Sequence, residues 1–235
     1  MIGHHLSEGF HRYRDQIALI QGKDRLTYGD IGRLMLSFVE AWGNLSEKRV
    51  GVCMRTPLPF FAAIAALDLL RSHAFLVRSR SQEDVARFQS IFSWDYILRA
   101  EGVLSVFAPK NESHNYMRRD TGLVTLLTSG TTGTPKAVNH SWSTLASPVR
   151  KETRYIGTRW LLTYPLNLYA GTQVFLHAFL NWATLVIPAS FDPGEICRTL
   201  KENRATHASG TPTFWRRLVF FSPKQALQTC NLEKI

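Results

Sequence analysis

Apolar positions along this chain repeat in two different rhythms, and the rhythms alternate. Ile31, Leu34, Met35, Phe38, Val39 and Trp42 recur three and four residues apart, which predicts an amphipathic helix over 28–42. Val50-Gly51-Val52-Cys53-Met54 then reads as a strand. Thr56-Pro57 opens a helix, since proline lacks an N–H that the first turn would leave unpaired anyway. Its continuation, Phe60 to Leu67, is apolar on nearly every face and predicts a deeply buried helix. Ala74–Val77 is the next strand, and Ser81 with Asp84 forms a capping pattern for a helix to about Phe92. Beyond a polar stretch at 108–122, Leu123–Thr128 reads as a buried strand, with another at about 137–140 and a helix from about 142. Strands at 160–164 and 184–187 flank a helix over 171–182, and Asp192-Pro193 opens a helix to about Asn203. Thr211-Pro212 starts a last helix carrying Phe214, Trp215, Leu218 and Val219.

Repeated strand–helix alternation predicts an α/β fold with mainly parallel sheets covered by helices. The polar stretch suggests two α/β subdomains, 1–115 and 116–235. No internal repeat or low-complexity tract interrupts this pattern.

Composition narrows the partners. Apolar residues make up 45% of the 235, enough for a packed core. No run approaches the ~20 uncharged apolar residues of a membrane span, and the first residues lack the form of a signal peptide, so a cytoplasmic protein is expected. The net charge of +10 invites a nucleic-acid reading. Residues 1–120 are nearly balanced, with 16 basic and 13 acidic side chains, whereas 121–235 hold 12 and 5. The excess lies in the later half and in pairs such as Arg150-Lys151 and Arg216-Arg217, both placed on predicted helices. No nucleic-acid partner is expected. Cys53, Cys197 and Cys230 are far apart and show no metal-ligand spacing; Cys53 reads as a buried small hydrophobe. His4, His5 and His11 fall in an N-terminal polar helix, while His140 and His177 stand alone, so all read as structural.

The densest chemistry follows the strand at 123–128. Ser129-Gly130-Thr131-Thr132-Gly133-Thr134-Pro135-Lys136 combines glycines that let the backbone approach an anion, hydroxyl donors and a terminal lysine. A Gly/Thr-rich turn without a ligand would use several of the same residues, but has no need of the hydroxyl excess or the lysine. The spacing is not that of the Walker loop. The loop reads as a phosphate cradle.

Leu126 through Val138 closely resembles the signature loop of the adenylate-forming (AMP-binding) superfamily, which includes acyl-CoA synthetases, aryl-acid ligases, luciferases and the adenylation domains of peptide synthetases. Ala137 departs from that pattern, where glycine is usual. The resemblance continues at lower specificity through Ile17–Ile20, Arg25–Tyr28, Tyr164–Gly171, Ala183–Ile187, Phe191–Pro193 and Thr206–Thr213. It implies that Thr128, Ser129, Gly130, Thr131, Thr132, Gly133 and Lys136 hold the β- and γ-phosphates of ATP, with Mg2+ accompanying the nucleotide. It implies a small-molecule carboxylic acid as substrate, activated as an acyl-adenylate, and CoA or a carrier-protein thiol as acceptor. Leu168, Tyr169 and Gly171 match the segment that lines the acid's pocket. Tyr169 stands where members activating amino acids carry aspartate, so a fatty, aryl or other simple acid is expected rather than an α-amino acid.

The same resemblance implies that the chain is an incomplete large N-terminal domain. It ends at Ile235, ahead of the Thr-Glu and Gly-Asp motifs that hold metal and ribose. Three readings follow: a carboxylate ligase incomplete when alone, a non-catalytic remnant or interaction module, and one half of a split enzyme completed by a second chain.

Overall fold

The computed structural model describes residues 1–54, 56–77, 81–99, 103–106, 122–128, 136–221 and 232–233. Helix α1 (Ile2–Tyr13) leads into the hairpin β1 (Ile17–Gln21) and β2 (Asp24–Thr27), then α2 (Tyr28–Ala41). There follow β3 (Arg49–Cys53), α3 (Pro57–Leu69), β4 (His73–Leu76), α4 (Gln82–Phe92), β5 (Tyr96–Arg99) and β6 (Val103–Val106). Next come β7 (Leu123–Thr128), β8 (Lys136–Ser141), α5 (Trp142–Ala146), β9 (Arg159–Leu161) and α6 (Tyr169–Leu180). The described chain closes with β10 (Thr184–Ile187), α7 (Pro193–Glu202), β11 (His207–Ala208) and α8 (Pro212–Phe221).

These strands form two sheets. One runs β6-β5-β3-β4-β7-β8 and the other β11-β9-β10-β1-β2. Where a helix intervenes the neighbours are parallel, as in β3–β4 across α3 or β9–β10 across α6. The consecutive pairs β5–β6, β7–β8 and β1–β2 are antiparallel. The expected α/β architecture with mainly parallel sheets is therefore present, with antiparallel strands confined to the edges.

The chain divides into two compact units, Met1–Arg12 with Gly29–Ser147, and Tyr13–Tyr28 with Pro148–Ile235. This differs from a division at 115 and 116. The cause is strand pairing: β7 joins the first sheet beside β4, taking β8 with it, while β1 joins the second beside β10. Local hydropathy carries no record of such distant partners.

In the first unit, α4 supplies Val85 and Phe88 to a core that also holds Cys53, Phe75, Val77, Trp94, Ile97 and Leu127. Each such side chain contributes roughly 1.5–3 kcal/mol on full burial. Gly51 is required here, because a Cβ would meet the Trp94 ring at 2.6 Å. Helix α3 is buried along almost its whole length, as its unbroken apolar run predicts.

In the second unit, Ile196, Cys197 and Leu200 of α7 and Leu218 of α8 pack with Ile20, Leu161 and Val186 of the sheet. Trp160 precedes Leu161 in the strand and so faces the other way. It stacks on His177 of α6 at 5.4 Å and on His207 at 4.6 Å. Helix α6 therefore covers one face of this sheet, and α7 with α8 the other.

Several sequence expectations need correction. Arg150-Lys151 is not helical; α5 ends at Ala146, two residues before Pro148, which disfavours helix in the residue preceding it. β5, β6 and β11 are strands that hydropathy did not reveal, and β11 is only two residues long. Cys197 is buried, as Cys53 is, while Cys230 lies outside the described residues. No helix among the described residues is long and apolar enough to cross a membrane.

Candidate functional site

Thr128 ends β7 and Lys136 begins β8, and the two are register partners. β7 runs parallel to β4, so Thr128 lies at the carboxyl edge of the parallel strands. Ligands of open α/β sheets bind outside that edge, where successive loops diverge. Ser129, Gly130, Thr131, Thr132 and Gly133, together with Thr134 and Pro135, lie outside the described residues. The hairpin that carries them is tied down on both sides. Thr125 Oγ1 donates to Asn139 Oδ1 of β8 at 2.6 Å, and His73 Nε2 of β4 lies 2.6 Å from Thr125 Oγ1. With the Thr125 proton committed to Asn139, the His73 nitrogen is the donor. One buried hydroxyl thus links three strands, three residues before the pair Thr128 and Lys136.

Leu168, Tyr169 and Gly171 lie in the second unit, at the start of α6. Leu168 is the residue before the first turn, Tyr169 is 50% exposed, and Gly171 is buried. Gly171 sits against the preceding backbone: a Cβ there would run into the Pro165 carbonyl and lie 2.8 Å from the Tyr164 oxygen. Thr172 Oγ1 donates to Leu166 O at 2.8 Å, and Leu168 N to Pro165 O at 3.0 Å. The chain from Tyr164 to Leu168 is folded tightly over the helix start.

Two further contacts fix this segment, and neither was visible in the sequence. The Thr211 N–H donates to the Tyr164 hydroxyl at 2.6 Å, and Thr163 Oγ1 donates to the Ser209 carbonyl. Both join the chain leaving β9 to the chain leaving β11. The sheet order makes these strands neighbours although they are more than forty residues apart in sequence.

Elsewhere in this unit the acidic residues at the start of α7 have local partners. Asp192 precedes α7 and accepts from Ser190 Oγ at 2.8 Å rather than capping the helix with its side chain. Glu195 pairs with Arg198 and accepts from Thr199 Oγ1. Burial beside Trp160 holds the His177 imidazole below its usual range. Among the described residues there is no group of three or more His, Cys, Asp or Glu side chains that could hold a metal ion.

The family model described as AMP-binding enzyme matches residues 76–233, about two thirds of the chain, and the chain belongs to that family. A 2-succinylbenzoate–CoA ligase of Bacillus licheniformis is 29% identical, over 87% of this chain and 48% of that protein. The protein of the same name from Bacillus pumilus is 31% identical, over 40% of this chain and 20% of its own length. The chain spans about half the length, or less, of the curated relatives it matches.

Solved structures agree on the fold. The N-terminal domain of FACL13 from Mycobacterium tuberculosis superposes with a TM-score of 0.78 at 17% identity, covering 98% of this chain and 68% of that one. The O-succinylbenzoate coenzyme A synthetase of Bacillus subtilis, solved with AMP, gives 0.69 at 19% identity, covering 94% and 65%.

Proposed function

We propose that this chain supplies the phosphate-holding and acid-lining parts of an AMP-forming carboxylate ligase. The observation that carries the reading is the run from Thr128 to Lys136, rich in hydroxyls and glycine, spanning two register-paired residues at a parallel sheet's carboxyl edge. In the reaction a carboxylate oxygen attacks the α-phosphorus of ATP, and the bond to the departing pyrophosphate breaks. Hydroxyls and backbone N–H groups between Thr128 and Gly133, with the Lys136 ammonium, hold the β- and γ-phosphates and stabilise charge gathering on that leaving group. CoA or a carrier-protein thiol then takes the acyl group.

Mg2+ would neutralise charge on the same phosphates, and the described residues offer no cluster to hold it. Its carboxylate is assigned to a Thr-Glu motif that this sequence does not contain. The acid is fatty, aryl or another simple carboxylic acid. A phenol at Tyr169 cannot supply the buried negative charge that an α-ammonium group needs. The 2-succinylbenzoate–CoA ligase relatives favour an aryl acid among these.

Calorimetric titration with ATP tests the reading. A lysine's charge-assisted contacts are worth roughly 1.5–3 kcal/mol, so Lys136→Ala should weaken ATP binding about tenfold or more. Equal affinities for the two proteins would remove the loop from the mechanism.

A further inference from the structure

A cavity of about 220 Å³ opens between α7 and α8, lined by Phe191, Pro193, Ile196, Phe214, Arg217 and Leu218 among others. It belongs to the second unit, and its floor lies on the side of the sheet that α7 and α8 cover. Its floor is apolar, with Ile196 and Leu218 both essentially inaccessible to solvent. Phe191 stands at the opening, 41% exposed. Thr211 and Thr213 also line the cavity, and the Thr211 oxygen accepts from Phe214 N at 3.2 Å, which leaves its proton free to donate.

Among the described residues, Arg217 is the one charged side chain of the lining. Arg217 makes no ion pair or hydrogen bond among the described residues. The acidic side chains at the start of α7 are engaged elsewhere, Asp192 with Ser190 and Glu195 with Arg198 and Thr199. Pro193 and Thr213 are first-turn residues of α7 and α8, so the lining includes the positive ends of two helices. A volume below the roughly 300–1,000 Å³ of drug-sized sites limits the occupant to a small molecule.

We propose that this cavity binds a small carboxylate with an apolar body, its chain or ring on Ile196, Phe214 and Leu218 and its carboxylate at Arg217. The site is separate from the acid pocket assigned to α6 and does not depend on the ligase reading. The Thr211 N–H that bonds the Tyr164 hydroxyl belongs to a residue of the cavity wall, so an occupant touches one partner of the hydrogen bond that fixes the segment before α6.

The probe is hexanoate, titrated calorimetrically into the 235-residue chain without nucleotide, beside hexanol and hexylamine of equal length. Hexanoate should bind with a Kd on the order of a millimolar or below, as expected for so few atoms. Hexanol should bind about tenfold more weakly, and hexylamine not measurably. Arg217→Gln should lower hexanoate affinity about tenfold while Arg217→Lys retains most of it, and Thr213→Trp, which fills the opening from an exposed position, should abolish binding. The thermal midpoint of each variant reports that it is folded, and Arg217→Gln alters only an exposed side chain. Absence of hexanoate binding, equal binding of hexanol, or binding indifferent to Thr213→Trp and Arg217→Gln overturns the proposal. Indifference to both variants would place hexanoate elsewhere, for example at α6.

Discussion

Gly171 shows what one missing methyl group allows. A Cβ at this position would run into the Pro165 carbonyl, and the obstructing atoms are backbone rather than flexible side chain. Gly171→Ala should therefore lower stability by about 2 kcal/mol or more, read as a fall in the urea midpoint. A second residue-scale consequence concerns protons. Burial lowers the pKa of His177, so below about 6.5 the unfolded chain takes up a proton that the folded chain resists. Stability should fall as pH drops through that value toward the folded pKa, and His177→Gln should flatten the decline. Urea midpoints at pH 5.5 and 7.5 for both proteins measure it. Residue types in a run are legible in the sequence itself, which is why the candidate phosphate loop stands out there. The bond from Thr211 to Tyr164 is not, because it depends on β9 and β11 lying side by side.

Elements were legible in proportion to their length and periodicity. Helix α3 announced itself through an apolar run with no polar face, and Ser81 caps α4 at Asp84 N, as its spacing suggested. β11, at two residues, carries no period to detect. Pairing partners were equally hidden, and with them the assignment of β7 and β8 to the first unit. That assignment gives Thr125 its importance, since its hydroxyl is where β4, β7 and β8 are joined. Thr125→Val keeps the shape but leaves Asn139 Oδ1 and His73 Nε2 without this partner. Asn139 is exposed and His73 half-buried, so solvent can replace part of what is lost. An ordinary side-chain hydrogen bond is worth roughly 0.5–1.5 kcal/mol, and denaturant unfolding should show a loss of that size. An unchanged midpoint would mean that the strand ladder alone fixes the hairpin.

At the scale of the whole molecule we propose that the 235-residue chain, assayed by itself, does not turn over. Adenylation requires holders for ribose and metal. After Lys136 the carboxylates are Glu152, Asp192, Glu195, Glu202 and Glu233, none of them in a Thr-Glu or Gly-Asp pair. Glu152 is paired with Arg154 and Glu195 with Arg198. Catalytic groups that act as a unit fail together, so the expected rate is background rather than a fraction of normal. Pyrophosphate exchange with a panel of carboxylic acids checks this, and acid-dependent exchange abolished by Lys136→Ala would show the chain to be sufficient. The place of β1 in the second sheet has a consequence for how the protein is made. Leu19 must wait for Leu185, 166 residues later, whereas the strands of the first sheet all lie between Arg49 and Ser141. At a synthesis rate of roughly 5–20 residues per second, the segment from Ile17 to Ile20 leaves the ribosome roughly ten to thirty seconds before its inner partner exists. During that interval the inner edge of an apolar strand stands open on the nascent chain, a segment of the kind that chaperones holding unfolded chains cover.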